Sequence, residues 1–510
     1  MPHHPRRFSE LVTPLGAWSI RWFTEGNPVR AVHGVGNGVW WCCDRKTPCS
    51  QCTRANKECG GYQDLKSLRI YDQSKEVAVK AQARNLVQSR SATTSPLPLI
   101  QEPISIHEHA TSHIFTYYVG TPQDRGLLSF LPDVLSTDPS SGLQAAMKAI
   151  GLSTMSRIHN LPNLRRLAGE EYGIALLSLN RALQNPVSAK ANSTLATVTM
   201  LSMYEMVACQ DMATWGSAIM DRWVNHVQGG MRLLELRGVE QLNSDTGAQL
   251  FTSIRMQNAI SGVFFRHSIR NSPTIVAISE AARARADENT LQVEFLHDIL
   301  IQFNDLAAEV NDASLGKYTV ENLGLYIGKA LHLDANLRSW EMSLGPGWRY
   351  TTISEPRPPV GHPTHFSMRG DTHHIYHNVN IASMWNHYRQ TRIVLHEMVR
   401  VMALHLWALQ ESPECQQTIL QSVSISKQMV NDICASVRYH FISDEARFGG
   451  AVRLLWPLFI GADVEHIDDQ TREWIINTLS MIGNGMGIRQ ALVMVRFLRN
   501  GHKKNLIPGT

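Results

Sequence analysis

Residues 164–186 read LRRLAGEEYGIALLSLNRALQNP, and this stretch is the clearest indication of the architecture. Its apolar side chains recur at spacings that place them on one face of an α-helix. The pair Asn185-Pro186 is typical of a helix end, because proline cannot continue a helix. The residues that mark the predicted apolar face are Leu164, Leu167, Ile174, Leu179, Ala182 and Leu183.

The same periodicity recurs through most of the chain after residue 104, whereas alternating β-patterns bounded by hairpin turns are nearly absent. The proline-rich residues 343–366 are the one long interruption, and we expect them to form an exposed loop. The sequence therefore predicts an all-α protein with a large helical domain. Further helices are expected over about 193–210, 216–237, 246–270, 292–312, 317–342, 373–411, 416–440 and 468–499.

The composition is that of an ordinary globular protein. Of 510 residues, 43% are hydrophobic and 18% are charged, which excludes a disordered or fibrous chain. Uninterrupted apolar runs fall short of the roughly 18 residues that a membrane span needs. We therefore expect no membrane association.

The net charge of +4 conceals an uneven distribution. Residues 1–90 contain 14 Lys and Arg against 7 Asp and Glu, a net charge of +7. The other 420 residues contain 34 against 37, a net charge of −3. A basic head on a slightly acidic body is typical of a protein that binds a polyanion such as DNA, although basic termini can also be simply solvated.

Five of the eight cysteines lie within residues 42–59. Cys49 and Cys52 form a Cys-x2-Cys pair, which lets two thiolates from one turn bind the same tetrahedral zinc ion. Cys43 and Cys59 flank that pair and can complete a four-thiolate site. This spacing predicts zinc bound by Cys43, Cys49, Cys52 and Cys59; unligated thiols in a loop are the alternative.

Four basic residues surround these cysteines: Arg45, Lys46, Arg54 and Lys57. Their charges favour thiolate formation and offset the negative charge of a four-thiolate zinc site. The same side chains are candidates for contacts with DNA phosphates, which give affinity without sequence specificity.

The segment from Cys43-Asp44 through Pro48-Cys49 and Cys59 to Gly61-Tyr62 resembles the second half of the binuclear zinc cluster of fungal transcription factors. Its four cysteines match the third to sixth of that family. The first Cys-x2-Cys and its basic helix are missing, and residues 8–42 stand in their place. Either those residues come from a misjoined exon or the cluster is degenerate.

The body resembles the fungal-specific transcription factor domain in several segments. The resemblance implies an all-helical regulatory domain, a nuclear location, and partners that are a second copy of the chain or transcription machinery. The segments are Trp223–Gly238, Gly247-x2-Leu250-Phe251-x3-Arg255-x-Gln257, Trp385-Asn386-x-Tyr388-Arg389-x2-Arg392 and Gly449-Gly450-x3-Leu454-Leu455-Trp456-Pro457-Leu458.

Considered as residues alone, the first of these segments suggests packing rather than a ligand pocket. Its apolar residues share one helical face, and Gly229-Gly230 would permit close approach of another helix. Arg237-Gly238 is typical of a helix end with a cationic last turn and a glycine cap. The face consists of Trp223, Val227, Leu233 and Leu234.

Four regions follow from these patterns. Residues 1–42 are an irregular or misannotated segment, and residues 43–62 are a partial zinc cluster. Residues 63–103 form a helical and linker segment that ends in a polar, proline-rich stretch. Residues 104–500 are expected to form the helical domain, which the resemblance identifies with the fungal transcription factor domain.

An enzyme is the less favoured alternative, and it depends on a cluster of eight histidines. His373 and His377 would share a helix face at four-residue spacing, near Asp371, and a metal site there is conceivable. Recognisable nucleotide-binding or nucleophile motifs are missing, so we expect no enzymatic activity. A helical interaction protein that has lost specific DNA binding is the other alternative. The histidines are His362, His365, His373, His374, His377, His387, His396 and His405.

Overall fold

The computed structural model describes Asn56 and residues 104–120, 127–208, 218–265, 272–313, 319–356, 368–442 and 447–500. Helices account for 83% of this part of the chain, and its one sheet has two strands. The prediction of an all-α protein is confirmed. The chain divides into two compact units, residues 1–103 and residues 104–510, and the fold below is that of the second.

Seventeen helices and two strands are described in the second unit, with short 3₁₀ segments at Val239–Asn243 and Pro346–Trp348. The first half contains α1 (Ile106–Ile114, continued by a π-helical turn, Phe115–Val119), α2 (Leu131–Thr137), α3 (Ser141–Ile158), α4 (Pro162–Leu183), α5 (Pro186–Ala189), α6 (Asn192–Ala208), α7 (Ala218–Arg237) and α8 (Asp245–Phe265). The second half contains α9 (Pro273–Arg285), α10 (Glu288–Ala313), α11 (Val320–Ser343), β1 (Thr351–Ser354), β2 (Thr372–Ile375), α12 (Val379–Leu409), α13 (Pro413–Ser436), α14 (Tyr439–Ile442), α15 (Arg447–Asp463), α16 (Asp469–Gly485) and α17 (Arg489–Arg499).

Short polar side chains fix the start of several helices. Ser140, Asn378, Ser412 and Asp468 each accept a hydrogen bond from a backbone N–H in the first turn of the helix that follows. Such a cap satisfies a donor that has no partner within the helix, and it contributes about 1 kcal/mol.

Helix α4 forms where its periodicity predicts, but its buried face is narrower than expected. Leu164 and Leu179 are buried, whereas Ile174 and Leu183 are 49% and 43% exposed. Ala168 and Ala175 are also buried, and Leu167, Tyr172 and Leu176 pack against the core while partly exposed. The predicted helix is therefore confirmed, but Ile174 and Leu183 of its apolar face are largely exposed.

Three of the predicted helical stretches are interrupted, and in the stretch 416–440 the interruption is only a turn between α13 and α14. The stretch expected over 373–411 begins as strand β2, which pairs antiparallel with β1 through Thr352 and His374, and α12 starts only after Asn378. The stretch expected over 468–499 divides into α16 and α17 at Gly487, whose φ of +71° is the left-handed conformation that favours glycine. The interruption expected over 343–366 contains a 3₁₀ turn and strand β1.

Helix α12 lies at the centre of the second half of the body. It packs most extensively against α13, and also against α11, α15 and α10. The apolar face predicted for α7 is confirmed, because its four residues are all buried. Trp223 of that face lies 5.9 Å from Trp456 of α15, between ring centroids, so α7 and α15 share one hydrophobic core.

Glycines set the closest helix contacts. A Cβ atom at Gly151 of α3 would lie 2.2 Å from the backbone oxygen of Ala110 in α1, so only glycine fits there. Gly230 of α7 lies against Ile254 of α8, as expected of a helix contact, whereas Gly229 faces open space.

Among the helices that the structure describes, none combines the length and the apolar character required to cross a membrane.

Candidate functional site

Helix α12 carries an unusual set of buried polar side chains and is the strongest candidate for a functional centre in the body. It is buried along most of Val379–Ala403. A helix surrounded by protein is expected to be apolar on all sides, and each buried polar group needs a hydrogen-bonding partner. Nine buried residues of α12 are polar or charged: Ser383, Asn386, His387, Arg389, Gln390, Thr391, Arg392, His396 and Glu397.

Arg392 forms a bidentate ion pair with Asp334 of α11. Its Nε donates to Asp334 Oδ1 at 2.6 Å, and its Nη2 donates to Oδ2 at 3.0 Å. Its Nη1 donates to the hydroxyl of Tyr388 at 3.1 Å, and that hydroxyl donates to Glu341 Oε2 at 2.5 Å. The two parallel bonds of a guanidinium to a carboxylate fix orientation as well as distance, so α11 and α12 are held in one register.

His396 extends this network to α13. Its Nε2 lies 3.2 Å from Asp334 Oδ1, and its Nδ1 lies 3.3 Å from the hydroxyl of Ser422. Serine, histidine and aspartate follow one another here as in a hydrolase triad. Ser422 and His396 are only 1% and 2% exposed, however, so a substrate cannot reach the hydroxyl. The arrangement holds helices together rather than presenting a nucleophile.

The ionisation of Asp334 follows from these contacts. Burial by itself would raise the pKa of Asp334, but hydrogen bonds from His396 and Arg392, together with their charges, lower it to about 2. Because this pKa lies below the usual carboxyl value, the stabilisation from the ionised form is complete above about pH 4 and is lost as the pH falls toward 2.

Arg389 is 1% exposed, and no described carboxylate lies within ion-pair distance of it. Its Nη1 donates to the hydroxyl of Tyr376 at 2.7 Å and to Asn386 Oδ1 at 3.0 Å. Its guanidinium carbon lies 4.9 Å from the ring centroid of Tyr350 and 5.5 Å from that of Trp385. Cation–π contacts of this kind stabilise a desolvated guanidinium, so an aromatic cage does here what a carboxylate does for Arg392.

A second buried ion pair links α8 and α10. Arg255 Nη1 donates to Glu294 Oε2 at 2.8 Å, and Arg255 Nη2 lies 2.7 Å from His297 Nδ1. A guanidinium has donors only, so Nδ1 must accept and His297 must carry its proton on Nε2, which donates to the backbone oxygen of Arg255 at 3.2 Å. Burial and then the charge of Arg255 lower the pKa of His297 to about 3.

A third polar group joins α4, α6 and α7. The Tyr172 hydroxyl donates to Glu205 Oε1 at 2.6 Å, and Arg222 Nε donates to Glu205 Oε2 at 3.1 Å. His226 lies 3.2 Å from the same hydroxyl. Burial would raise the pKa of Glu205, but these neighbours outweigh it and lower the pKa below its usual value.

The end of α7 also serves a contact between helices. Gly238 follows Arg237 with a φ of +67°, as expected for a glycine cap. Arg237 is buried and donates to the backbone oxygen of Lys190 at 2.8 Å and to Asn192 Oδ1 at 2.6 Å. This side chain therefore ties α7 to the start of α6.

The histidine cluster is dispersed in the folded chain. His373 is buried on β2, whereas His377 lies beyond the strand and is exposed, so the prediction that they share a helix face is wrong. His387 and His396 are buried at separate positions on α12, and His405 is half-buried near its end. Within the described ranges, no group of three or more His, Cys, Asp or Glu residues is arranged to hold a metal ion. His362 and His365 fall outside those ranges.

The predicted zinc ligands and DNA-contacting residues also lie outside the described residues. They are Cys43, Cys49, Cys52 and Cys59, with Arg45, Lys46, Arg54 and Lys57. The body cysteines Cys415 and Cys434 are buried, as expected of small apolar residues. Burial raises the pKa of Cys434 to about 12, so its thiol stays protonated at neutral pH.

Sequence reasoning identified Trp385, Tyr388, Arg389 and Arg392 as part of a family-like segment, but it did not identify their partners. Asp334, Glu341 and Ser422 lie on other helices, and only an unusual number of polar residues in an otherwise apolar helix hinted that partners were needed.

We predict that Asp334→Asn lowers the free energy of unfolding by about 3–5 kcal/mol, because it leaves the buried charge of Arg392 without its carboxylate. Chemical denaturation of the full chain measures this. Glu309→Gln is the control, because it breaks the exposed pair of Glu309 with Lys329 and should cost less than about 1 kcal/mol. Equal losses from the two variants would contradict the assigned role of the buried pair.

We also predict that stability decreases as the pH falls below about 6.5. The pKa of His387 is lowered to about 4, and the pKa values of His297 and His440 are lowered to about 3. Burial is the largest cause for all three histidines. Unfolded histidines bind protons near pH 6.5, so between these values the unfolded state holds more protons and the free energy of unfolding decreases.

The variant His297→Asn tests this for one residue, because Asn keeps an acceptor for Arg255 but cannot titrate. In this variant the unfolded state binds about one proton fewer between about pH 4 and 6. The slope of the unfolding free energy against pH should therefore decrease by about 1.4 kcal/mol per pH unit. His109→Gln, at an exposed position, is the matched control and should leave the slope unchanged. An unchanged slope in His297→Asn would refute the neutral, buried state.

Comparison with known proteins identifies no family for this chain. The chain matches no protein-family model, no curated protein and no solved structure.

Proposed function

We propose that the protein is a transcriptional regulator in which a zinc-bound N-terminal segment contacts DNA and the helical body controls activity. The observation that carries the proposal is the spacing of Cys43, Cys49, Cys52 and Cys59 with four basic residues between them. The resemblance of this segment to half of a fungal binuclear zinc cluster supports the same function.

Zinc is the metal that this segment suits. Four thiolates match the tetrahedral preference of zinc and close its coordination sphere, which is typical of structural rather than catalytic sites. The segment between Cys43 and Cys59 has few apolar residues and cannot bury a core of its own. Metal binding would then supply the free energy that folds it.

DNA is the partner that the charge favours. Residues 1–90 hold a net charge of +7, and Arg45, Lys46, Arg54 and Lys57 lie among the zinc ligands. Contacts from these side chains to phosphates give salt-dependent affinity. The base-reading helix of the family is missing from this sequence, so we propose DNA binding with little sequence preference.

The helical body fits the role of a regulatory domain. It is all-α, and its family-like segments form buried contacts between helices, as in the ion pair of Arg392 with Asp334. A body fixed in this way can present a constant surface to a second copy of the chain or to transcription machinery. We propose a nuclear location as the consequence of this function.

A helical interaction protein without DNA binding is the second candidate. Exposed apolar residues on α4 favour it, because Ile174 and Leu177 lie three residues apart on one face and are 49% and 59% exposed. The two functions share the body and differ in the N-terminal head, so the experiments below discriminate between them.

We predict that the purified full chain contains close to one zinc ion per molecule. Metal analysis by mass spectrometry measures this, and Cys49→Ala combined with Cys52→Ala should abolish the zinc content. The pair Cys415→Ala and Cys434→Ala is the control, because both thiols are buried in the body and should leave the zinc unchanged. A wild-type chain without zinc would disprove the site.

We predict that DNA affinity falls steeply with salt. Four phosphate contacts give a slope of log affinity against log salt concentration of about −3.6. Fluorescence anisotropy with a 20-base-pair duplex and its shuffled sequence measures slope and preference. Arg54→Gln with Lys57→Gln should make the slope less negative by about 1.8, because each phosphate contact contributes about 0.9.

The matched control for that experiment is Lys75→Gln with Lys80→Gln, which removes the same charge from outside residues 43–62 and should change the slope less. Undetectable affinity at low salt would favour the interaction protein. Strong selection of one sequence over its shuffled form would mean that base-reading residues exist elsewhere in the chain.

A further inference from the structure

Three arginines from three helices line one narrow cleft between the first half of the body and its last helices. Arg157 lies near the end of α3, Arg165 in the first turn of α4, and Arg489 at the start of α17. Ser153 and Gly487 also line the cleft. Helix α3 packs extensively on α4, α17 packs on α6, and α16, the helix before α17, packs on α3.

The cleft holds positive charge without a compensating carboxylate. None of its lining residues is acidic. Arg157 donates only to neutral acceptors, Gly483 O at 3.4 Å and Asn484 Oδ1 at 3.3 Å. Burial lowers the pKa of Arg157, and the positive charges of Arg489 and Arg165 lower it further.

The other two arginines are unpaired within the part of the chain that the structure describes. Arg489 Nε is buried and has no hydrogen-bond partner there. Arg165 forms no ion pair there, whereas its neighbour Arg166 pairs with Glu170. By contrast, Arg255 and Arg392 each form an ion pair with a buried carboxylate in the interior.

An anion bound here would offset the positive charge of the exposed Arg165 and the partly buried Arg157 and Arg489. Like charges that converge in a partly desolvated cleft repel each other, and the body as a whole is slightly acidic. Helix α17 begins at Arg489 without a side-chain cap, and the positive end of its dipole adds to the potential. Gly487, with its positive φ, lies so close to Thr154 that a Cβ atom would be 2.7 Å from the Thr154 oxygen. The start of α17 is thereby held against α3.

We infer that this cleft binds a phosphoryl group, either as free inorganic phosphate or as the phosphate monoester of a small molecule. A phosphoryl group presents three or more oxygens and up to two negative charges, so it can accept from several guanidinium groups at once. A single carboxylate would leave donors unpaired. The ligand joins α3 and α4 to α17, and it gives the body an effector site that does not depend on DNA binding.

The test is thermal unfolding of the full chain during titration with inorganic phosphate, at constant ionic strength against chloride. A parallel titration uses glycerol 3-phosphate. The wild-type protein should show saturable stabilisation, because a ligand that binds only the folded state raises the unfolding temperature by mass action. Tighter binding of glycerol 3-phosphate identifies a monoester ligand, and equal or weaker binding identifies free phosphate.

The variants Arg165→Gln and Arg489→Gln should each weaken phosphate binding by roughly tenfold or more, because each removes charge-assisted hydrogen bonds. Both should keep or raise the unfolding temperature without phosphate, since each relieves repulsion. Arg166→Gln is the matched control, with the same charge change one residue away, and should bind phosphate like the wild type.

Phosphate also stabilises proteins generally by exclusion from their surface, and that effect is not saturable and is the same in all variants. Stabilisation of that kind would overturn the proposal. Loss of binding in Arg45→Gln with Lys46→Gln, but not in Arg165→Gln, would place the anion on the N-terminal head and overturn it as well. Phosphate binding by the body is expected whether or not the N-terminal segment binds zinc or DNA, so the two proposals can be disproved separately.

Discussion

The ion pair between Arg392 and Asp334 is the constraint on which the central part of the body depends. A guanidinium is very costly to bury alone, and helix α12 is buried along most of its length. A carboxylate on α11 at bidentate distance, with Tyr388, His396 and Ser422 around it, offsets that cost. The register of α11, α12 and α13 is thus determined by polar contacts rather than by apolar packing alone.

Arg389 shows a second solution to the same problem, three residues earlier on the same helix. Tyr350, Tyr376 and Trp385 provide ring faces, and Asn386 provides an oxygen. The two arginines therefore contact different neighbours, one through α11 and the other through the β1–β2 region. Since a shift of α12 by one turn would unpair both charges, alternative packings are strongly disfavoured.

The same reasoning separates arginines that support the fold from those available to a ligand. Arg255 and Arg392 are buried and paired with carboxylates. Arg157, Arg165 and Arg489 line a cleft in which the positive charges of Arg165 and Arg489 act on Arg157. Residues 91–510 carry a net charge of −3, so a basic cleft without carboxylates contrasts with the rest of the body and favours a phosphoryl ligand.

The sequence by itself determined the helical class, the position of most helices and the zinc hypothesis, because periodicity and cysteine spacing are local properties of the chain. It could not determine that Ile174 faces solvent, that His373 lies on a strand or that α16 and α17 are separate helices. Those outcomes depend on neighbours distant in sequence, such as the strand that pairs with β2. Only the tertiary structure brings Asp334 next to Arg392 and Arg489 next to Arg157. The energy of two interacting charges depends on their distance in space, and that distance cannot be read from their separation along the chain.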